Sequence, residues 1–406
     1  MVQGPAPVAV TGIGVVSPIG LGRQQFWTAL IEGRSGIAPI ESFPVLEGGP
    51  TLGAEVRGFA AREFIASSHL RRMDKLSRMV VAAARMALDD ARLVLGEIQP
   101  ETVGVVIGSA LGDLSESAAH LERVFTKGPS SASPMLFPNL VLNAAASYVA
   151  MEFGLTGVNL TVAQGETSGE QAFILGCELV RTGRADLVLA GGGDEMAAIV
   201  FDVYRRARAL SSQRGGLEWS SPYDVGRNGI VLGEGAAIVV LESPARACAR
   251  GATILAEVEG YAVFSVPSPP YDWPTEARAA LAPLRQLLGA DGADLVVGSG
   301  NSSRRLDTCE IDLFGRLAGE RAGGVRVTSI KGAIGEFGAA GALSTAVACL
   351  ALHEQTVPPL CHLSKPEPNA PLRFAAGRDE AEPIKRVLLY GLARGGAGAA
   401  LLLRKN

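Results

Sequence analysis

The sequence has no CxxC pair. Its five cysteines, Cys177, Cys248, Cys309, Cys349 and Cys361, are scattered, which excludes a disulfide framework or a thiolate metal site as an organising feature. The four histidines, His69, His120, His353 and His362, are equally dispersed and lack ligand spacing, so neither a metal nor another cofactor is expected. No segment approaches about 18 uninterrupted apolar residues, and the opening MVQGPAPVAVTGIGVVSPIG lacks a basic region followed by a long apolar stretch. The expectation is a soluble, cytoplasmic protein without a membrane partner. Long runs of one charge sign are also missing, and a net charge of −4 gives no electrostatic reason for a nucleic-acid partner. Charged residues make up only 19% against 48% hydrophobic ones, so most elements must be packed on more than one side, which favours a layered α/β architecture over a bundle.

At 406 residues the chain suffices for one large two-part fold or two ordinary domains. Short Val/Ile/Leu runs predict strands at Val8 to Val16, Val103 to Ile107, Val158 to Val162, Leu187 to Ala190 and Ala236 to Leu241. A second set is predicted at Ile254 to Val263, Leu295 to Gly298, Val325 to Ile330, Val387 to Tyr390 and Ala399 to Leu403. Leu76 to Ala91 and Glu170 to Arg181 read as helices, so strand, helix, strand is the repeating unit. VGVVIGSALGD finds an echo in ADLVVGSGNSSRRLD, and AQGETSGEQAFILG and AIGEFGAAGALSTA both run from a strand through Gly-Glu into a small-residue helix. An internal duplication follows, with halves 1–245 and 252–406 hinged near Ser243 to Ala252. It places Glu166 and Glu336 at corresponding helix starts that meet near the middle.

The stretch TVAQGETSGEQAFILGC sets a carboxylate at such a corner. Thr167-Ser168-Gly169-Glu170 fits a capping box, with Glu170 reaching back, and Glu166 sits just outside the helix, where the positive helix end favours an anion. Glu166 is then either a tolerated charge at a helix start or the residue of a corner that exposes reactive groups in several folds. A cysteine there would have a lowered pKa and attack thioesters.

At this point the chain resembles the β-ketoacyl-acyl carrier protein synthases, condensing enzymes of fatty-acid and polyketide synthesis. VAVTGIGVVSPIG, SPYDVGRNGIVLGEGAAIVVLES, RADLVLAGGGDE and SIKGAIGEFGAAGA resemble family motifs in the family's order. The resemblance implies a thiolase-like layered α-β-α-β-α fold with two pseudo-symmetric halves. In the family the turn reads Ala-Cys-Ser/Thr-Ser-Gly, and registering on Thr167-Ser168-Gly169 puts Glu166 at the nucleophilic cysteine. The His-Gly-Thr motif and its following aspartate correspond to GSGNSSRRLD, giving Ser299 and Asp307. The Gly-His-x-x-Gly-Ala-Ala-Gly motif corresponds to GEFGAAG, giving Glu336. The supporting lysine and its glutamate partner are implied at Lys331 and Glu310, and Leu392 and Arg394 replace the aromatics of the family's Phe-Gly-Phe-Gly-Gly loop.

Condensation needs a nucleophile that accepts an acyl group from a thioester, and two donors that steady the enolate from malonyl decarboxylation. A carboxylate attacking a thioester would form a high-energy anhydride, and neither Ser299 nor Glu336 replaces an imidazole. Condensing activity by this chain alone is therefore expected to be absent or very low. Two carboxylates in a closed pocket are costly unless neutralised. Either Arg394, with Arg304 or Arg305, pairs with Glu166 or Glu336, or these arginines face solvent and the glutamates share a proton. The Lys331 and Glu310 charges read as structural.

Inactive relatives of this kind are chain-length factors, which pair with a catalytic subunit as a heterodimer and help to shape the tunnel for the growing chain. The resemblance implies such a subunit in carrier-protein-dependent polyketide, polyene or fatty-acyl elongation, with a catalytic ketosynthase paralogue and an acyl carrier protein as partners. A stand-alone malonyl-carrier-protein decarboxylase or atypical synthase, and a homodimeric scaffold, are the alternatives. The family dimerises through the strand before the nucleophile turn, here Val158, Leu160 and Val162. Met135, Leu136 and Phe137 lie in the segment that lines the dimer interface and acyl tunnel, with core packing as the plain alternative. Arg71 to Arg78 either meets an acidic carrier protein or is a solvated helix face.

Overall fold

Apolar runs, most of them buried on both faces, build the main sheet. In the computed structural model, which describes residues 7–406 apart from 214, 320–324, 369 and 378–381, the first set is β1 (Val8–Ser17), β2 (Val103–Gly108), β3 (Asn159–Val162), β4 (Leu187–Asp194) and β5 (Gly235–Glu242). The second is β6 (Ala256–Ser265), β7 (Leu295–Val297), β8 (Arg326–Thr328), β9 (Arg386–Leu392) and β10 (Ala397–Arg404). From the outer edge inward the order is β3-β2-β4-β5-β1 in one half and β8-β7-β9-β10-β6 in the other, which is one permutation used twice. Directions repeat as well. β2 runs parallel to β3 and β4, as β7 does to β8 and β9, and the remaining pairs are antiparallel. β1 and β6 join the halves antiparallel, Val8 opposite Val258 and Val10 opposite Ala256. Short strands at Gly20–Leu21 and Arg373–Phe374 complete a 12-stranded sheet among the described residues.

The helices that matter are α1 (Lys75–Asp90), α2 (Leu114–Lys127), α3 (Ala144–Phe153), α4 (Ser168–Arg181), α5 (Arg278–Leu288), α6 (Arg304–Ala318) and α7 (Ala340–Glu354). α4 and α7 follow equivalent strands, β3 and β8, and fill the middle, where Phe173 and Ile174 join Val347 and Leu350 against residues of both half-sheets. α7 is buried from Ala340 to Leu352 and is apolar all round, as a central helix must be. α1 and α3 cover the outer face of the first half, α5 and α6 that of the second. The result is the layered α-β-α-β-α arrangement with two pseudo-symmetric halves. The expected hinge at Ser243 to Ala252 carries a short helix, Pro244–Ala249, whose start Ser243 caps by accepting from Arg246 N–H at 3.2 Å.

Candidate functional site

β3 delivers the chain to a tight corner ahead of α4. Gly165 turns it with φ +58°, a left-handed conformation that a side chain would strain. Ser168 Oγ accepts from Gln164 N–H at 2.9 Å and donates to the Gly165 carbonyl at 2.7 Å, while Thr167 Oγ1 donates to the Gln164 carbonyl at 2.9 Å. The expected capping box does not form. Thr167 occupies the cap position without a side-chain cap bond, and Glu170 enters the interior instead of reaching back. The two glycines Gly341 and Gly391 make room for it: a Cβ at Gly341 would lie 1.9 Å from Glu170 Oε2, and one at Gly391 2.4 Å from Oε1. Glu170 Oε2 has no hydrogen-bond partner, and burial pushes the carboxyl up to about 7.

Glu166, at the apex, is held by Arg394. The Arg394 backbone N–H donates to Oε2 at 3.1 Å and the guanidinium donates to Oε1 at 2.5 Å, with the two side chains 10% and 15% exposed. The same Nη1 reaches Tyr204 Oη at 2.5 Å, and the guanidinium carbon stands 3.9 Å from the Trp273 ring centroid and 4.6 Å from that of Tyr204. Burial alone would lower the Arg394 pKa, but Tyr204, Glu166 and Glu336 outweigh it and hold it above its usual value.

Glu336, at the start of the equivalent helix, is held in turn by Lys331. Nζ lies 2.9 Å from each carboxylate oxygen, and Asn301 Nδ2 donates to Oε2 at 2.5 Å. Burial works to lower the Lys331 pKa, and Glu336, then Glu170 and Glu166, raise it overall. This corrects the expected pairing of Lys331 with Glu310. Glu310 is fully buried and accepts from Ser299 N–H (3.0 Å), Ser299 Oγ (2.7 Å) and Tyr223 Oη (2.6 Å), and burial raises its pKa. Lys331 reaches Glu336 because that residue lies only five positions on, across a single turn of helix and a glycine. Asp307 accepts from Tyr223 N–H at 2.8 Å and Asn301 N–H at 2.9 Å, and burial pushes it up to about 7.

Arg304 and Arg305 do not join either carboxylate. Arg304 donates to the Arg227 carbonyl at 3.1 Å and Arg305 pairs with Asp272, because the start of α6 turns both toward an open cavity of about 1150 Å³. Arg394 and Trp273 line that cavity, whereas Glu166, Ser299 and Glu336 do not. Arg394 therefore stands between the cavity and Glu166. Leu392 is fully buried beneath it. The centre holds neither thiol nor imidazole: each carboxylate is occupied by a cation, and Ser299 is spent on Glu310. Such an arrangement can brace two helix starts, while Arg394 Nη2 keeps a buried N–H with no hydrogen-bond partner.

The β-ketoacyl synthase N-terminal domain family matches residues 6–247, and the β-ketoacyl synthase C-terminal domain family matches residues 255–364. The chain belongs to the β-ketoacyl synthase family. It is 31% identical to 3-oxoacyl-[acyl-carrier-protein] synthase 2 of Synechocystis over 98% of both chains, and 33% identical to the granaticin polyketide putative β-ketoacyl synthase 1 of Streptomyces violaceoruber over 98% of both. Among solved structures it resembles the ishigamide ketosynthase/chain length factor, with TM-score 0.92 and 29% identity over 99% of this chain and all of the other. A type II PKS acyl-carrier protein in complex with its ketosynthase gives TM-score 0.90 at 27% identity, covering 99% of this chain and all of that one.

On this β-ketoacyl synthase scaffold, the family resemblance pointed to Glu166, Glu336 and Arg394, of which Glu166 meets Arg394 and Glu336 meets Lys331 instead, and it missed Tyr204, Trp273, Tyr223 and Asn301. Asn301 was within reach, two residues after Ser299. The aromatics carry no spacing signal, since Tyr204 and Trp273 lie far from Glu166 in the chain. Met135 and Phe137 are 77% and 63% exposed and Leu136 is half-buried, which excludes core packing within this chain. Leu160 is exposed on β3, which among the described residues pairs only with β2 and leaves its other edge open, and Val158 and Val162 are half-buried beside it. Of the basic stretch Arg71 to Arg78, Arg71 and Arg72 are exposed, while Lys75 pairs with Glu234 and Arg78 donates to the Leu70 carbonyl. Among the described residues no helix is long and apolar enough to cross a membrane.

Proposed function

We propose that this chain is a non-catalytic, chain-length-factor-like subunit that pairs with a cysteine-bearing ketosynthase paralogue in the cytoplasm and works with an acyl carrier protein to elongate a polyketide, polyene or fatty-acyl chain. One observation carries the reading: Glu166 and Glu336, which the resemblance assigns to the positions of the nucleophile and the second histidine, are each already ion-paired, to Arg394 and Lys331. A carboxylate held by a guanidinium is a poor acyl acceptor, and a carboxylate held by an ammonium cannot donate to an enolate. The named relatives support the setting, since they include polyketide synthases and a ketosynthase/chain length factor.

The partner surface follows from the open edge of β3 together with Met135, Leu136 and Phe137. An unpaired edge flanked by exposed apolar side chains is an aggregation hazard that a partner removes. In this reading residues 1–245 and 252–406 are the two ketosynthase-like halves: Glu166 with Arg394 and Glu310 with Tyr223 link them, while Lys331 with Glu336 and Ser299 with Glu310 brace the second. The test is co-expression with a homologue that keeps Cys-His-His. A stable heterodimer that elongates carrier-bound malonyl units supports the reading, and a chain that purifies only with itself contradicts it. The decarboxylase alternative is disfavoured because the carboxylates of Glu166 and Glu336 would repel both a malonyl carboxylate and the enolate formed from it.

A further inference from the structure

A second cluster of titratable groups surrounds the start of α2, apart from the Glu166 centre. Asp113 caps this helix, its Oδ1 accepting from Glu116 N–H at 2.9 Å. A second carboxylate serves the same helix start, with Glu195 Oε1 accepting from Ser115 N–H at 3.0 Å. The two residues are 5% and 7% exposed, and Asp113 Oδ2 has no hydrogen-bond partner. Both face one cavity of about 360 Å³.

The other charged groups there are mostly spent. At the start of α1, Lys75 is held by both oxygens of Glu234 at 2.6 and 2.7 Å, Arg78 donates from Nη2 to the Leu70 carbonyl at 3.3 Å with Nε unpartnered, and Asp74 caps Ser77. On α2, Glu116 accepts from Asn139 Nδ2 at 3.1 Å, and His120 is buried with Nδ1 unpartnered. At the end of β4, Asp194 accepts from Ser109 Oγ and from the Ala110 and Ala339 backbone. On helix Ala198–Arg206, Asp202 pairs with Arg205 and Arg206. Among the described residues no ammonium or guanidinium is paired with Asp113 or Glu195, so two ionised carboxylates would repel each other out of water, whereas one shared proton turns the repulsion into a hydrogen bond.

We propose that Asp113 and Glu195 share a single proton, and that this carboxyl–carboxylate pair is a pH-sensitive clasp fixing the start of α2 and the apolar surface that α2 presents. That surface includes Leu121 and Phe125, 52% and 83% exposed, and leads into the segment of Met135 and Phe137. Burial, then the charge of Glu195, pushes the Asp113 carboxyl up to about 8. The closed clasp thus keeps a proton that the opened chain, with carboxyls near ~4, gives up. Rising pH favours opening by about tenfold per unit between about pH 4 and pH 8, and the effect levels off above that. The clasp stands on its own geometry; its consequence for pairing rests on the heterodimer reading.

The test is amide hydrogen exchange of α2 in the full chain from pH 6 to 9, corrected for intrinsic rates, in wild type, Asp113→Asn and Glu195→Gln. Asn is as good a helix cap as Asp, and either carboxamide donates permanently to the remaining carboxylate. Wild-type protection should fall about tenfold per pH unit up to about pH 8, and both variants should be flat, while Glu116→Gln keeps the slope. A flat wild type, or variants that retain the wild-type slope, overturns the clasp. Co-purification with the ketosynthase partner across the same pH range reads pairing separately, so a clasp without a partner and a partner without a clasp are told apart.

Discussion

Replacing Arg394 by Met keeps much of the apolar stem that lies against Trp273 and Tyr204 but strips the charge from Glu166. Glu166, 10% exposed at its side chain, would keep one donor, the backbone N–H of residue 394 at 3.1 Å. Removing one member of a buried pair costs about 3–5 kcal/mol when the other must remain charged. A glutamate can escape by taking a proton, and since a free one titrates near ~4.3, the escape costs about 3.7 kcal/mol at pH 7 and about 1 kcal/mol at pH 5. The retained backbone donor offsets about 1 kcal/mol, and the lost cation–π contacts add about as much at either pH. The substitution should therefore destabilise by about 3–4 kcal/mol at pH 7 and markedly less at pH 5, a difference of up to about 2.7 kcal/mol. Urea denaturation at the two pH values measures it. In a Glu166→Gln background the cost should shrink to roughly 1 kcal/mol at both, the stacking alone. A cost that is the same at pH 5 and pH 7, or one below about 1 kcal/mol at pH 7, would refute the buried pair.

Glu170→Gln should remove a proton-linked loss of stability. Burial raises the native carboxyl to about 7, so the folded chain holds a proton that the unfolded chain releases, and stability falls as pH rises from about 4.5 to 7. Relative to the variant, wild type should lose about 1.4 kcal/mol per pH unit across that window and nothing further above pH 8, as denaturation at pH 5, 6, 7 and 8 will read. Gly341→Ala should destabilise by about 1–3 kcal/mol, since its Cβ would lie 1.9 Å from Glu170 Oε2, and adding Glu170→Ala should restore much of the loss in a thermal melt.

Most strand positions were legible because they are apolar on both faces, unlike the exposed edge strand β3, and each predicted strand overlaps an observed one. The end of β4 was not: the run Gly191 to Asp194 pairs with β5 yet carries no apolar pattern. The small sheet of Ile37–Pro39, Leu52–Ala54 and Leu232–Gly233 was missed because two or three residues give no period to read. At the site, the motifs that resemble the family's pointed to Glu166, Ser299 and Glu336, while they could not say which carboxylate Lys331 would meet. That is fixed by the turn from Lys331 to Gly335, not by composition. The capping-box pattern misled for a similar reason, since the gap at Gly341 and Gly391 that swallows Glu170 belongs to a helix and a strand of the other half.

The proposed loss of condensing chemistry rests on the ion pairs at Glu166 and Glu336. The most direct measurement is to incubate the purified chain alone with malonyl- and acyl-loaded carrier protein, following intact mass, carbon dioxide and product. The account predicts no acyl adduct and no carbon–carbon bond until a cysteine-bearing ketosynthase is added. An acyl group found on Glu166, or condensation product made by the lone chain, would contradict it.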